Sequence, residues 1–376
     1  MERPTDRDGA PTGPDARIRA EIEAEGSIGF DRFMELALYG EGGFFERPPV
    51  GAAAHFVTSP HVSPFVFSRC VRAAILDAWL ALGEPDPLRV VELGAGDGAL
   101  AAALLESFAE LPAPVLEYTA VEISPGARAT LTERSLDTVP SLEGLEPFDG
   151  VVVANELLDN LPFLLARRDG DAVLELRVSV GGDGALTSTP EPWTDERFPA
   201  DALHLAPDEI GTAPVGAFTL IDALAARLRR GYAIVVDYGE RGPAGAPRGY
   251  ERHRPVADVL GHEPGSTDVT AGVDLDLVAR RARAAGLQAW EPIRQRDAVT
   301  VLGYTRWDDT MRERQARLQR DGDRTQATRV WETRSRASLL VEPSGLGAHW
   351  WLCLATPDLP EPAWLARARD AGFPSD

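Results

Sequence analysis

Acidic and amide side chains at the ends of apolar runs are the groups in this sequence best placed to do chemistry. Glu92 closes the run Arg89-Val90-Val91-Glu92, two residues ahead of Gly94. Glu122 closes Tyr118-Thr119-Ala120-Val121-Glu122. Asn155 and Glu156 follow the run from Gly150 to Ala154, and Asp159 comes three residues later. Gly94, Gly96 and Gly98 alternate directly after Glu92, with Ala95 between the first two and an Ala/Leu-rich helical segment behind them. A strand, a tight glycine turn and a helix start turn backbone N–H groups toward the negative end of a ligand. Glycine serves where the chain takes positive φ or lets a ligand approach closely. The expected ligand is a nucleoside-containing cofactor.

The spacing Gly94-x-Gly96-x-x-Ala99 also satisfies the loose dinucleotide fingerprint, so the glycines alone do not choose the cofactor. Glu122, 24 residues after Gly98 and followed by Ile123, suits the ribose hydroxyls of either kind of adenosine cofactor. Glu92 is placed to orient the loop and receive an ammonium group. Asn155-Glu156-Leu157-Leu158-Asp159 lies beyond the carboxyl end of its strand, which in an open α/β sheet is the ligand crevice. Hydride transfer has no evident need for an amide and two carboxylates there. A methyl transferase can use them to hold a nitrogen nucleophile in line with a sulfonium, which moves the reading from a nicotinamide toward S-adenosyl-L-methionine. Each group also has a plainer reading. Asn155, Glu156 and Asp159 can cap a helix; Thr58, Ser59 and Ser63 can be turn and cap residues; Glu122 can be a surface carboxylate at a strand end.

The elements that must position these groups alternate. Strands are expected at 89–93, 117–123, 138–142 and 150–155, helices at 97–109 and 126–135, then a helix at 217–229 and a strand from Tyr232 to Asp237. Hydrophobic strands alternating with helices predict a Rossmann-like α/β fold with a mostly parallel, doubly wound sheet. Glycine-rich turns at 169–170 and 181–184 between short strands predict an antiparallel β insertion at about 163–215. A second insertion is expected at about 239–272. Before the first strand, residues 1–15 read as a disordered tail and 16–85 as an N-terminal helical cap, including a helix near Phe65–Leu82; 86–376 form the α/β domain. Toward the end come a helix near 273–285, strands near 287–292 and 299–304, charged helices between 307 and 337, and a strand from His349 to Ala355.

Composition narrows the partners. The 376-residue chain has 44% hydrophobic and 26% charged residues, as in globular proteins, and a formal net charge of −21. Such a surface disfavours nucleic acid, so no nucleic-acid partner is expected, and it favours a basic protein or peptide. Cys70 and Cys353 are too few for a disulfide framework or a four-ligand zinc site, and the six histidines show no metal spacing, so no metal is expected. No run approaches the length of a membrane span, and the N-terminus lacks a leader pattern, which reads as a cytoplasmic protein.

Several blocks in order across most of the chain resemble the MidA family of S-adenosylmethionine-dependent methyltransferases. They are Phe33-Met34-Glu35-Leu36-Ala37-Leu38-Tyr39-Gly40 with Gly42-Gly43-Phe44-Phe45, and Phe56-Val57-Thr58-Ser59-Pro60 with Ser63. Val91-Glu92-Leu93-Gly94-Ala95-Gly96, Val121-Glu122-Ile123-Ser124 and Ala154-Asn155-Glu156-Leu157-Leu158-Asp159 follow. Asp237-Tyr238-Gly239 and Asp268-Val269-Thr270-Ala271-Gly272-Val273-Asp274 complete the set. The resemblance implies N-methylation of a protein arginine, since mitochondrial members methylate a respiratory complex I subunit and support its assembly. It implies a cofactor set of Glu92, Gly94, Ala95, Gly96, Gly98, Glu122, Ile123, Thr58 and Ser59, and a catalytic set of Glu156, Asn155 and Asp159. The chain departs from the family at Ala54-His55 (usually Gly-Asp), His61 (usually Glu), Asp97 (usually Arg) and Gly272 (usually His). The departures at Ala54-His55, His61 and Gly272 motivate an alternative, a cofactor-binding assembly protein with little catalysis.

Overall fold

A computed structural model describes residues 13–46, 58–242, 245–251, 254–256 and 258–372. The β-branched and alanine-rich runs form the central sheet. Its strands are β1 (Leu88–Leu93), β2 (Leu116–Val121), β3 (Asp137–Val139) and β4 (Phe148–Asn155). Strands β5 (Leu164–Asp169), β6 (Ala172–Val180), β7 (Leu186–Pro192) and β8 (Ile210–Ala213) make a separate antiparallel sheet in the order β7-β6-β5-β8. The chain then returns to the central sheet through β9 (Leu228–Asp237) and β10 (Trp350–Ala355).

The central order is β3-β2-β1-β4-β9-β10, with the short segment Gln288–Ala289 beyond β10. All pairs from β3 to β9 are parallel, and β10 runs antiparallel to β9. This is the expected Rossmann-like, mostly parallel and doubly wound architecture. The order reverses at β1, and the register places Leu93 beside Ala154. The glycine turn after β1 and the polar run after β4 therefore open into one crevice, where open α/β sheets hold ligands.

Successive residues of one strand serve two cores because strand side chains alternate between faces. Val151 and Val153 of β4 join a cluster with helix α4 (Pro64–Ala81) and helix α5 (Ala99–Ala109). Val152 and Ala154 join Ile221 and Leu224 of the helix Val215–Arg227 and Val278 and Ala282 of the helix Leu275–Ala284. With both faces covered, β1 is buried along its length apart from Arg89.

The first helix runs Pro14–Glu25, so Pro14 and Asp15 belong to it; the rest of the expected tail, residues 1–12, lies outside the described residues. The segment expected as one helical cap divides between two neighbours. Ile18, Ile22, Phe30 and Phe33 pack with Phe163 and with Leu165, Leu176 and Val178 of the antiparallel sheet, and an antiparallel Ile28–Val178 bridge ties the chain to β6. Helix α4 instead covers the central sheet. Residues expected as a strand at 299–304 are helical: Gln295–Val299 is an α-helix followed by a wider turn over Thr300–Tyr304. The buried positions Ala298, Val299 and Leu302 carry helical spacing, and a short apolar run does not separate the two forms by itself.

Candidate functional site

A cavity of about 590 Å³ opens beyond β1 and β4. Of the expected residues, Glu92, Gly94, Ala95, Gly96, Glu122, Ile123, Thr58, Asn155 and Glu156 line it. Ser59, Gly98 and Asp159 do not. Ser59 is fully buried with its hydroxyl against Gln295; only its N–H turns toward the crevice, donating to Glu156 Oε1 at 3.0 Å. Gly98 has φ +78 and would place a Cβ 2.7 Å from Leu131, so close packing of α5 on the helix Pro125–Glu133 demands glycine there, not approach of a ligand. Asp159 points the other way, accepting from the Thr270 hydroxyl at 2.8 Å.

The glycine loop is built for close approach. Gly94 and Gly96 have φ +69 and +54, and a Cβ on Gly96 would meet nothing within 4 Å among the described residues. The space there belongs to the cavity. Glu122 accepts the Gly96 N–H through Oε2 at 2.9 Å and the Ser124 N–H through Oε1 at 2.8 Å. A carboxylate has about four lone-pair positions, so capacity remains for ribose hydroxyls. Glu92 accepts the Tyr118 hydroxyl at 2.6 Å. Burial, then the nearby Glu122 and Asp97 charges, push its carboxyl up to about 8 against the opposing Tyr118 bond.

His61 and Asp97 meet at the cavity wall. His61 Nε2 lies 3.0 Å from Asp97 Oδ2 and Nδ1 lies 2.8 Å from Thr58 Oγ1, while Asp97 Oδ1 accepts the Ala99 N–H. This run of hydrogen bonds ties the short helix Ser59–Val62 to the glycine loop, and two of the residues that depart from the family pattern are here partners. Ala54 and His55 lie outside the described residues. Gly272 sits 3.7 Å, measured from an ideal Cβ, from the Tyr238 ring.

Glu156 is the most constrained group. Its φ of +51 is unusual for a residue with a side chain and costs about 1–2 kcal/mol. Asp237 holds the turn by accepting the N–H groups of Leu157 at 3.0 Å, Leu158 at 2.6 Å and Tyr238 at 2.8 Å. Glu156 Oε1 also faces Asn155 Nδ2 at 3.3 Å. Burial lifts the Glu156 carboxyl to about 7, against the Ser59 and Asn155 hydrogen bonds and the His61 charge. Burial and Glu156 raise Asp159 to about 6 against the Thr270 bond. Among the described residues no donor reaches the buried acceptors Asn155 Oδ1 and Asp159 Oδ1. Such atoms are costly unless a ligand or water satisfies them.

The raised Glu156 carboxyl has a stability signature. The native state holds a proton that the unfolded chain, at the ordinary 4.5, has released, so stability falls as pH rises from about 4.5 to 7 and stays reduced above. Glu156→Gln removes the ionisation, and its melting temperature is expected to exceed the parent's at pH 8 and to match it at pH 4.5. Parallel melts that do not diverge with pH would refute this.

Sequence reasoning missed two supports. Gln295, fully buried, hydrogen-bonds Ser59 Oγ at 3.1 Å and accepts from Trp351 Nε1 at 3.3 Å. A polar residue just before the apolar stretch 298–302 was its only trace. His349, at the entry to β10, brings Nε2 to 4.0 Å from Glu156 Oε2. In the sequence it shows only as the first residue of the expected strand His349 to Ala355. Among the described residues no cluster fits a metal ion, and no helix is long and apolar enough to cross a membrane.

A family model of S-adenosyl-L-methionine-dependent methyltransferases matches residues 70–293. A crystal structure of a Burkholderia thailandensis protein bound to S-adenosyl-homocysteine superposes with a TM-score of 0.80 at 26% identity, covering 93% of this chain and 92% of that one. The mitochondrial protein arginine methyltransferase NDUFAF7 homolog of Drosophila melanogaster is 26% identical over 72% of this chain and 70% of its own length. Homo sapiens NDUFAF7, also a mitochondrial protein arginine methyltransferase, is 25% identical over 75% of this chain and 71% of its own. These relatives correct the expected cytoplasmic location: both are mitochondrial proteins, and missing leader and span patterns in the sequence are no evidence of a compartment.

Proposed function

Because the chain belongs to the MidA-like family of S-adenosyl-L-methionine-dependent methyltransferases and binds that cofactor, we propose that its acceptor is a nitrogen, specifically an arginine guanidinium on a protein. The observation that carries this reading is the set of acceptor oxygens around the strained Glu156. Among the described residues, Asn155 Oδ1, which lines the cavity, is buried without a donor, and no hydrogen bond reaches Glu156 Oε2. A guanidinium brings five N–H donors in a planar fork and no acceptor. It matches this surplus where a hydroxyl or thiol does not. The relatives' arginine chemistry and the chain's net charge of −21 favour the same basic class of substrate.

When bound, the cofactor supplies an electrophilic methyl on a positive sulfonium. Glu92 would take its ammonium, Glu122 its ribose, and the Gly94–Gly96 backbone its close contacts. The protein's own task is alignment and exclusion of water. Glu156 would grip the guanidinium through paired charge-assisted bonds and draw its positive charge away from the attacking nitrogen. Asn155 would fix the geometry through its amide oxygen. The test is methylation of an arginine-containing protein or peptide by the purified chain, read by mass spectrometry. Transfer confined to oxygen or carbon acceptors would overturn the reading, and binding without transfer would favour the assembly-protein alternative.

Glu92 supplies a separate prediction. With its carboxyl at about 8 it is mostly protonated at pH 7, and an adjacent ammonium favours ionisation. Cofactor binding at pH 7 is expected to release up to about one proton, and Glu92→Gln to abolish that release. Calorimetry in buffers of different ionisation enthalpy measures it. A binding enthalpy that does not depend on the buffer in the parent protein would refute the assignment.

A further inference from the structure

His349 lies outside the set that holds cofactor and acceptor, yet its ring faces the group that grips the acceptor. The position is well defined. Its carbonyl accepts the Gln295 N–H at 2.7 Å, and its ring packs edge-on to Tyr238 with centroids 6.0 Å apart. Nδ1 lies 3.0 Å from the Leu346 carbonyl oxygen. A carbonyl cannot donate, so Nδ1 carries the hydrogen, and the neutral ring presents a bare lone pair at Nε2. Nε2 lies 4.0 Å from Glu156 Oε2, the carboxylate oxygen that no hydrogen bond occupies among the described residues.

We propose that His349 acts through Glu156 as a positioning residue that receives the proton Glu156 takes from the methylated nitrogen. This rests on the reading that the acceptor is a guanidinium. The acceptor nitrogen forms its bond to the methyl carbon as that carbon's bond to sulfur breaks, the electron pair staying on sulfur. A guanidinium that gains a methyl must shed one proton to keep a single charge. The proton passes to Glu156 Oε2 and from there to Nε2 of His349, which restores the carboxylate for the next acceptor.

The charges around the ring suit the task. Glu156 and Asp159 face it from the turn after β4, and Asp159 draws it toward the protonated form while burial opposes that. Asp237 at the end of β9 has its oxygens engaged by three backbone N–H groups, and Tyr238 beside it contributes ring packing. On the other side, the Arg294 guanidinium lies on the Trp350 ring and donates to the Ala348 carbonyl at 2.7 Å. Glu156, pushed up to about 7, and a histidine held below its ordinary 6.5 are close enough in proton affinity to exchange a proton.

Two measurements test the relay. Side-chain 15N NMR on the protein saturated with S-adenosylhomocysteine should show His349 with hydrogen on Nδ1. Its titration midpoint should move by at least about half a pH unit in Glu156→Gln. The opposite tautomer, or an unchanged midpoint, overturns the proposal whatever the acceptor proves to be. For turnover the probe is a Gly-Arg-Gly peptide with radiolabelled S-adenosylmethionine. His349→Ala should lose about tenfold in kcat with peptide KM held within about threefold, and added imidazole should restore most of the loss. A folded variant at parental kcat, or a loss that imidazole leaves untouched, overturns the relay. If His349→Ala does not fold, His349→Gln takes its place, with parental turnover as the refuting result. A parent enzyme that leaves the peptide unmethylated counts against the arginine acceptor, and the NMR result still decides the relay.

Discussion

Glu156→Gln is expected to lower kcat by about a thousandfold while leaving cofactor affinity within about threefold. The substitution keeps the length of the side chain and an oxygen for the Ser59 N–H, which now reaches Oε1 at 3.0 Å. What it removes is charge. A neutral amide neither localises the guanidinium charge nor accepts the departing proton, and such interactions strengthen as the transition state forms, so the loss falls on turnover. A thousandfold corresponds to about 4 kcal/mol of barrier, a size that preorganised electrostatic contacts reach in water-poor sites. Methyl-transfer kinetics beside calorimetry with S-adenosylhomocysteine separate the two quantities. Turnover within tenfold of the parent would remove Glu156 from the mechanism, and a matching collapse in cofactor affinity would make it a binding residue.

Gly96→Val is expected to weaken cofactor binding by more than about a hundredfold with the fold retained. The backbone at φ +54 resists a β-branched residue, at a cost of about 1–2 kcal/mol or somewhat more, and the new side chain enters the open space where the cofactor would lie. Gly170→Val is the matched control. Its φ is +56 and among the described residues it too meets nothing within 4 Å, but it sits in the exposed turn between β5 and β6. Both variants bear similar backbone strain, so similar melting temperatures are expected, with cofactor affinity lost only at Gly96. Equal affinity in the two would show that the cofactor does not approach the glycine loop closely.

Much of the site is legible because it is local. Glu92 and Gly94 to Gly96 fall within five residues, and their spacing after an apolar run predicts a strand, a turn and a close-approach loop without reference to the rest of the chain. Asn155 and Glu156 are legible for the same reason, being polar residues that interrupt a buried strand. The helical character of 299–304 was not, because a short apolar run fits either period and its packing partners lie on α4 and β10. Ser59 and Gly98 sit in motifs that point to a ligand, yet packing gives both another use, one against Gln295 and one against Leu131.

The sequence by itself determined the alternation of strands and helices from β1 to β4, the antiparallel insertion and the cofactor class. Hydrophobic period and glycine spacing are properties of neighbouring residues. Only the tertiary structure decided how charges meet. His61 finds Asp97 across 36 residues, Asp237 holds the backbone turn at Glu156, and antiparallel β10 carries His349 up to the Glu156 carboxylate. Side chains so far apart in the chain acquire a distance, and with it an electrostatic environment, only when the sheet brings their strand ends together.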